Sequence, residues 1–356
     1  MVTLSLGLSG AWWDLGNNKP SRESRLAVGN AITDGQALLR YALPIENKAV
    51  RDVQGSLEDI ANQLRGKRWS TIQRDITQAA IILSNRTDDL LADIPAEQKP
   101  QAEALIAQMN KGIASIREAV EVKDKENTWL ERGKILDKVG KLEEMMVQGF
   151  PFEVPAEYSD LPQLKGRATI EISTDKGNLR LVVDGYSAPV TAGNFVDLVN
   201  RGFYDGLEFT RAEDKFVVQT GDPQGEEVGF IDPNSGKYRA VPFEVLVRGD
   251  EEPIYGMTLE DAGLYLDEPV LPFNAYGAVA MARPGDDPNG GSSQFFFFKF
   301  DTELTPPGFN LMDGRYAVFG YLVEGKEVLE NITAGDIIKS AKVIQGQENL
   351  VKPETA

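Results

Sequence analysis

The chain has 356 residues, of which 42% are apolar and 26% charged, and its formal net charge is −18. It contains no Cys and no His, which excludes disulfides, Cys or His metal sites, thiol catalysis and Ser-His-Asp triads. The acidic balance argues against nucleic-acid binding, because neutralising phosphates requires basic patches. No apolar run reaches the roughly 18 residues of a membrane span, and no acidic spacing typical of a calcium loop occurs. We therefore expect no integral membrane segment, no metal and no cofactor.

The first 22 residues predict an irregular lead-in. This stretch begins VTLSLGLSGAWW and is apolar and rich in small residues, but no basic segment precedes it. It fits either the remnant of an export signal or a segment packed on the body of the protein. Both interpretations stay open.

Apolar side chains then recur every three or four residues up to about residue 148. Ile72, Ile76 and Leu83 illustrate the spacing, which is that of an amphipathic helix. Short polar connections between such segments favour antiparallel neighbours. The pattern predicts an antiparallel helical bundle over residues 1–149, with helices at about 24–40, 47–65, 70–91, 97–121 and 125–148.

A proline-rich linker is predicted at 150–166, where Pro151, Pro155 and Pro162 prevent a continuous helix. After it, apolar and polar residues alternate, and ATIEISTDKGNLRLVVDG predicts a β-hairpin. A helix is expected near residues 190–202. Further strands are expected at 207–211, 216–220, 278–282, 295–300 and 317–322. This series predicts a closed antiparallel β-barrel capped by helices, over residues 167–350.

Four consecutive phenylalanines occupy one of these strands. Alternation along a strand sends Phe295 and Phe297 to one face and Phe296 and Phe298 to the other. At most one of the two faces can therefore contribute to a pocket, and the other must be core.

Three separated blocks resemble the signature segments of cyclophilins, the peptidyl-prolyl cis/trans isomerases, and occur in that family's order. They are FTRAEDKFVVQTGD at 209–222, AVAMARPGDDPNGGSSQFFFF at 278–298 and FNLMDGRYAVFG at 309–320. The resemblance covers about residues 169–344, roughly half of the chain. It implies a barrel fold and catalysis of rotation about X-Pro bonds.

The matching positions imply a set of site residues. Arg211, Phe216 and Gln219 fall on the family's catalytic positions. Without the surrounding motif, Arg211 would be interpreted as a surface residue paired with Glu213 or Asp214. The resemblance further implies a substrate-binding pocket made by Val217, Ala282, Gln294, Phe296, Leu311, Met312 and Tyr316.

Some positions depart from the family pattern. Its best-known members carry methionine, tryptophan and histidine where this chain has Val217, Leu311 and Tyr316. Leucine lacks the indole N–H that those members use for cyclosporin, so weak cyclosporin binding is expected. The segment at about 224–273 is longer than in a minimal cyclophilin and is acidic. It fits either an insertion that contacts a partner or the helical half, or a passive surface loop.

The combination of a helical bundle with a divergent cyclophilin resembles the multidomain cyclophilins of the thylakoid lumen and their cyanobacterial relatives. In those proteins the bundle is similar to an extrinsic photosystem II subunit of the PsbQ type. The resemblance implies an extracytoplasmic location, in the thylakoid lumen or periplasm, and at most peripheral association with photosynthetic membranes. It also implies proline-containing client proteins, photosystem II subunits among them, and a role in assembly or repair of that complex.

Three functions remain open on the sequence. The first is an isomerase, which Arg211, Phe216 and Gln219 favour. The second is a proline-segment-binding assembly chaperone or scaffold with little turnover, which Val217, Leu311 and the insertion favour. The third is a structural photosystem subunit that uses only its helical half.

Overall fold

The computed structural model describes residues 32–233, 235–301 and 310–353. The predicted lead-in at 1–22 and the first part of the helix expected at 24–40 lie outside these ranges. No helix within the described ranges is long and apolar enough to cross a membrane. The fold confirms the predicted class, a helical N-terminal half followed by a mostly antiparallel β half.

Six helices of the N-terminal half lie within the described residues. The apolar faces of the last five meet in one buried cluster that includes Ile72, Ile76 and Met109. Three helices begin with side-chain caps, because Asp34, Asn47 and Asp124 each accept a hydrogen bond from the backbone N–H three residues later. The helices are α1 (Gly35–Ala42), α2 (Lys48–Arg65), α3 (Trp69–Asn85), α4 (Thr87–Leu90), α5 (Lys99–Glu121) and α6 (Lys125–Met146).

Two predicted helices are wrong in extent. The helix expected at 24–40 includes residues 32–34, which are not helical, and α1 runs from Gly35 to Ala42. The helix expected at 70–91 ends at Asn85 and is followed by the separate one-turn helix α4. Arg86 lies between them with φ −122° and ψ 32°, outside helical geometry. Apolar periodicity continues across this break, because Leu90 also packs into the bundle core.

Among its described residues, the β half contains twelve strands and two α-helices, α7 (Pro189–Asn200) and α8 (Lys326–Asn331). Eight strands form one antiparallel sheet in the order β11-β2-β3-β10-β8-β9-β5-β4. The strands are β1 (Gln163–Leu164), β2 (Arg167–Thr174), β3 (Gly177–Asp184), β4 (Phe209–Ala212), β5 (Val217–Thr220), β6 (Glu244–Val245), β7 (Ile254–Tyr255), β8 (Ala278–Met281), β9 (Phe295–Phe298), β10 (Val318–Glu324), β11 (Ile338–Gln345) and β12 (Leu350–Val351).

The sheet curls so that its edge strands β4 and β11 meet. They are joined by a single bridge, Glu208 opposite Ile337, and by backbone hydrogen bonds such as Phe209 N to Asp336 O at 2.8 Å. The barrel is thus only partly closed, where the sequence predicted full closure.

The two faces of the sheet carry different apolar clusters. The inner cluster contains Phe295, Phe297 and Phe319 together with α7 side chains such as Phe195. The outer cluster contains Phe296 and Phe298. The predicted alternation of the phenylalanine run is confirmed, and all four rings are buried.

The first helix packs on the sheet rather than into the bundle core. Leu38, Leu39 and Ala42 of α1 belong to the same outer cluster as Phe296 and Tyr321. Arg167 of β2 strengthens this contact, because it donates to the backbone carbonyl of Leu39 and pairs with Asp184 at 2.8 Å. The helical half and the sheet therefore share one continuous apolar cluster.

The long segment between β5 and β8 has its own small core. Strands β6 and β7 pair within it, and Phe243, Val247 and Leu259 pack beside them. The carboxylate of Glu244 is buried and accepts hydrogen bonds from the backbone N–H groups of Val190 and Thr191, at the start of α7. This segment is therefore anchored to the barrel rather than lying loosely over it.

Candidate active site

A tight hairpin between β4 and β5 places the three predicted catalytic residues together. Arg211 and Gln219 face each other directly in the antiparallel register. The turn between the strands is closed by a 2.8 Å hydrogen bond from Glu213 N to Val217 O, and Lys215 adopts a left-handed conformation with φ 55°. Phe216 is the last residue of this turn, so the hairpin fixes all three positions relative to one another.

The guanidinium of Arg211 is half-exposed and paired with Glu213. Its Nε and Nη2 both lie 2.6 Å from Oε1 of that carboxylate. Its central carbon lies 5.6 Å from the centroid of the Phe216 ring, whose residue is 38% exposed. The site therefore presents a cation beside an exposed aromatic face.

An amide relay runs alongside the hairpin. Gln219 Nε2 donates to Gln294 Oε1 at 2.8 Å, and Gln294 Nε2 donates to Asp222 Oδ1 at 2.8 Å and Val228 O at 2.9 Å. These bonds fix the orientation of both amides. A cleft of about 200 Å³ opens beside the relay, lined by Gln219, Gln294, Ala282, Ser292, Tyr238 and their neighbours.

The predicted apolar pocket residues lie on the outer face of the sheet. Phe296 is 4% exposed, and its ring centroid is 5.4 Å from that of Tyr316 in a perpendicular arrangement. Val217 pairs with Phe298 across β5 and β9 and is buried. Ala282 and Met312 are half-buried against the same cluster. The structure thus brings together nine of the ten predicted site residues on one side of the barrel.

Leu311 is the exception. Its side chain is 74% exposed and is absent from the apolar cluster that holds Met312 and Tyr316. At this position a leucine offers apolar area to solvent and no hydrogen-bond donor.

Two structural supports of the site were missed by sequence reasoning. Phe273 is fully buried, and its ring is stacked on Phe296 at a centroid distance of 6.0 Å. Asp313 accepts hydrogen bonds from Phe273 N at 2.7 Å and Asn310 N at 3.2 Å. Burial raises the pKa of Asp313 to about 7. One carboxylate therefore ties the loop carrying Met312 to the end of the long β5–β8 segment.

A second arginine also faces the site. The central carbon of Arg283 lies 5.1 Å from the Tyr316 ring centroid, and its Nε and Nη2 donate to the carbonyl of Arg315. Its position next to Ala282 in the MARP motif was the signal that could have indicated it. Because these donors are bound to a backbone carbonyl, we assign Arg283 the role of supporting the ring of Tyr316.

No group of three or more acidic side chains in the described ranges is arranged to hold a metal ion. The site instead combines a cation, two oriented amides and an aromatic and aliphatic surface. This is a set suited to binding a neutral, ring-containing peptide segment and donating a hydrogen bond to it.

Fold and site together define a partly closed barrel with a candidate site on its outer face, and comparison with known proteins identifies the class. Residues 169–349 match the family model "Cyclophilin type peptidyl-prolyl cis-trans isomerase/CLD". Residues 34–147 match "Peptidyl-prolyl cis-trans isomerase CYP38-like, PsbQ-like domain". The chain belongs to the cyclophilin-type peptidyl-prolyl cis-trans isomerases, and within them to those with a PsbQ-like N-terminal domain. It is an enzyme that acts on proline-containing protein substrates.

Three relatives are similar over most of their length. A Synechocystis protein named as a thylakoid lumen peptidyl-prolyl cis-trans isomerase, sll0408, is 59% identical over 99% of this chain and 92% of its own. The chloroplastic isomerase CYP38 of Arabidopsis thaliana is 46% identical over 93% of this chain and 78% of its own. Chloroplastic CYP37 of the same plant is 33% identical over 90% of this chain and 71% of its own.

Proposed function

We propose that Arg211 is the catalytic residue of this isomerase. Rotation about an X-Pro bond must cross a barrier of about 18 to 20 kcal/mol, which arises from conjugation between the nitrogen and the carbonyl. No covalent bond has to break. A guanidinium that donates a hydrogen bond to the prolyl nitrogen stabilises the twisted state, in which that nitrogen has lost its conjugation and can accept. The half-exposed position of Arg211, opposite Gln219 and beside Phe216, supports this role.

In this proposal the proline ring rests on the apolar surface next to Arg211. The exposed ring of Phe216 and the outer-face residues Val217, Phe296, Met312 and Tyr316 supply that surface. Gln219 and Gln294 hold the peptide backbone of the client, since their amides are already oriented by the relay to Asp222. Ala282 lines the adjoining cleft, and Leu311 forms the exposed rim.

The client class follows from the chemistry and from the relatives. We expect exposed X-Pro segments of proteins at the photosynthetic membrane, including photosystem II subunits during assembly or repair. A location in the thylakoid lumen, with at most peripheral membrane contact, is supported by the names of the relatives and by the PsbQ-like match. Cyclosporin binding should be weak because Leu311 provides no indole donor.

A second candidate function is a proline-binding assembly chaperone with little turnover. The observation that favours it is the packing of α1 and Phe273 into the same outer cluster as Val217 and Phe296. Elements from outside the barrel thereby restrict the apolar side of the site. The helical half would then limit access of large clients, while the pocket holds a short segment.

The observation that carries the first proposal is the β4–β5 register that sets Arg211 opposite Gln219. The test is to measure both binding and isomerisation of a blocked, neutral X-Pro peptide by the full chain. Catalysed isomerisation, with a raised KM in Phe216→Ala, is the expected result. Saturable binding without acceleration of isomerisation would instead support the second function, a proline-binding assembly chaperone.

A further inference from the structure

The guanidinium of Arg211 is paired with the carboxylate of Glu213, a residue to which the proposed function assigns no role. Arg211 lies on β4, and Glu213 follows two residues later, just after the strand ends. Residues two apart on an extended backbone direct their side chains to the same face, and the bond from Glu213 N to Val217 O continues the strand pairing to this point. The backbone of Glu213 is fixed by its hydrogen bond to Val217 O and by a 3.4 Å bond from Phe216 N to its own carbonyl. The conformation of the hairpin turn therefore places the carboxylate of Glu213 next to the guanidinium.

The pairing occupies one edge of the guanidinium. Nε and Nη2 of Arg211 both approach the single oxygen Oε1 of Glu213 at 2.6 Å. The two side chains are 47% and 48% exposed, so solvent and client can reach the pair. A client that needs those donors must displace the carboxylate or accept from the remaining edge, beside a partly neutralised charge.

We infer that Glu213 is a positioning residue that restrains Arg211 and limits how strongly its guanidinium can serve the twisted X-Pro bond. This inference rests on the catalytic role proposed for Arg211. An exposed ion pair contributes about 0.2 to 1 kcal/mol. Releasing the guanidinium should therefore increase turnover by a factor of about 1.4 to 5, since 1.4 kcal/mol corresponds to tenfold.

Glu213 is well suited to act as a restraint rather than as a structural support. Its side chain is half-exposed, and the hydrogen bonds that close the turn are made by its backbone. Replacing its carboxylate with an amide leaves those backbone bonds in place. The change removes the charge while keeping a side chain of the same size.

The experiment measures kcat and KM of the full chain on a blocked, uncharged X-Pro peptide at low and high salt. Glu213→Gln is expected to raise kcat/KM by a factor of about 1.4 to 5 at low salt, mainly through kcat. High salt screens exposed pairs, so it should raise the wild-type rate and narrow the gap to the variant. Glu213→Ala should give at least the same increase.

Glu324→Gln is the matched control. Glu324 pairs with Arg180 at 2.7 Å on the barrel surface, and those side chains are 60% and 36% exposed. This variant should keep the wild-type rate and salt response. In an Arg211→Ala background, Glu213→Gln should change nothing, because its effect acts through the guanidinium.

These measurements distinguish the restraint by Glu213 from the catalytic role of Arg211. If Arg211→Ala lowers turnover but neither Glu213 variant raises it, the restraint is overturned and the catalytic role stands. A fall in kcat/KM in Glu213→Gln, with unfolding measurements matching wild type, also overturns it. If Arg211→Ala has full activity, the proposed catalytic role itself fails.

Discussion

Gly35, at the start of α1, lies directly against the buried ring of Tyr321 in β10. A Cβ placed on Gly35 would be 2.9 Å from Tyr321 Cβ and 3.1 Å from its Cγ. Tyr321 cannot move away easily, because its hydroxyl donates to Pro272 O at 2.7 Å and its side chain is fully buried. The absence of a side chain at position 35 is what lets the helical half seat on the barrel.

Gly35→Ala should therefore destabilise the protein, although the same change in a helix usually stabilises. Overpacking at a closed contact costs about 1 to 3 kcal/mol. The matched control is Gly133→Ala in α6, where a Cβ would meet nothing within 4 Å. The free energy of unfolding of the Gly133→Ala protein should rise by up to about 1 kcal/mol, because alanine favours the helix more than glycine does. Urea unfolding of both variants measures the difference, and equal effects would show that α1 is not held against Tyr321.

Removing residues 1–165 should uncover the apolar side of the site. The outer cluster would lose Leu38, Leu39 and Ala42 of α1. Activity on a short peptide should be similar in the full chain and in the 166–356 fragment, whereas activity on a folding protein client should rise in the fragment. Circular dichroism must first establish that the fragment is folded. A folded fragment that is slower on protein clients would mean that the bundle recruits substrate.

Stability should fall as pH rises, in part through Glu143 in α6. Its side chain is fully buried; Oε1 accepts from Arg51 at 3.1 Å, and Oε2 has no hydrogen-bond partner among the described residues. Burial raises the pKa of Glu143 from 4.5 to about 7. The folded protein then holds a proton that the unfolded chain has already released. The contribution is fully present below about pH 4.5 and is lost as pH rises through 7.

Between pH 5.5 and 8, the titration of Glu143 should lower the free energy of unfolding by about 2 kcal/mol. Glu143→Gln removes this titrating group, so the stability of the variant should depend less steeply on pH than that of the wild type. Glu144→Gln is the matched control, because it removes a half-exposed carboxylate from the same turn of helix and leaves the buried one. Unfolding curves at several pH values supply the measurement. Identical slopes for the two variants would contradict the account.

Leu311→Trp should strengthen cyclosporin binding. The side chain at 311 is 74% exposed, so a larger residue fits without repacking, and tryptophan adds an indole N–H donor. Titration of wild type and variant is the test, and turnover of a short peptide should change less than drug affinity. Leu130→Trp, at a half-exposed leucine in α6, controls for an added surface indole. Tight binding by the wild type would show that Leu311 is not the limiting position.

The sequence predicted the elements well where periodicity and burial agree. The alternation of Phe295 to Phe298 and the register of the 167–184 hairpin follow from local patterns, and the structure has both. The carboxylate partner of Arg211 was also visible, because Glu213 is only two residues away. These features depend on short-range geometry.

Contacts between distant segments could not be predicted in the same way. Phe273 stacks on Phe296, and Asp313 binds the backbone of Phe273 across 40 residues. Nothing in the local pattern around Gly35 indicates that it faces Tyr321. The break at Arg86 was missed for the opposite reason, since apolar spacing continues across it although the backbone does not.

The catalytic role of Arg211 is tested most directly by kcat/KM for a blocked X-Pro peptide in wild type, Arg211→Ala and Arg180→Ala. Arg180 serves as the control because it is a surface arginine of β3, paired with Glu171 and Glu324. The account predicts a loss of at least about tenfold in Arg211→Ala, about 1.4 kcal/mol of transition-state stabilisation, with kcat falling in proportion. Arg180→Ala should keep the wild-type rate. Unchanged turnover in a folded Arg211→Ala protein would contradict the account.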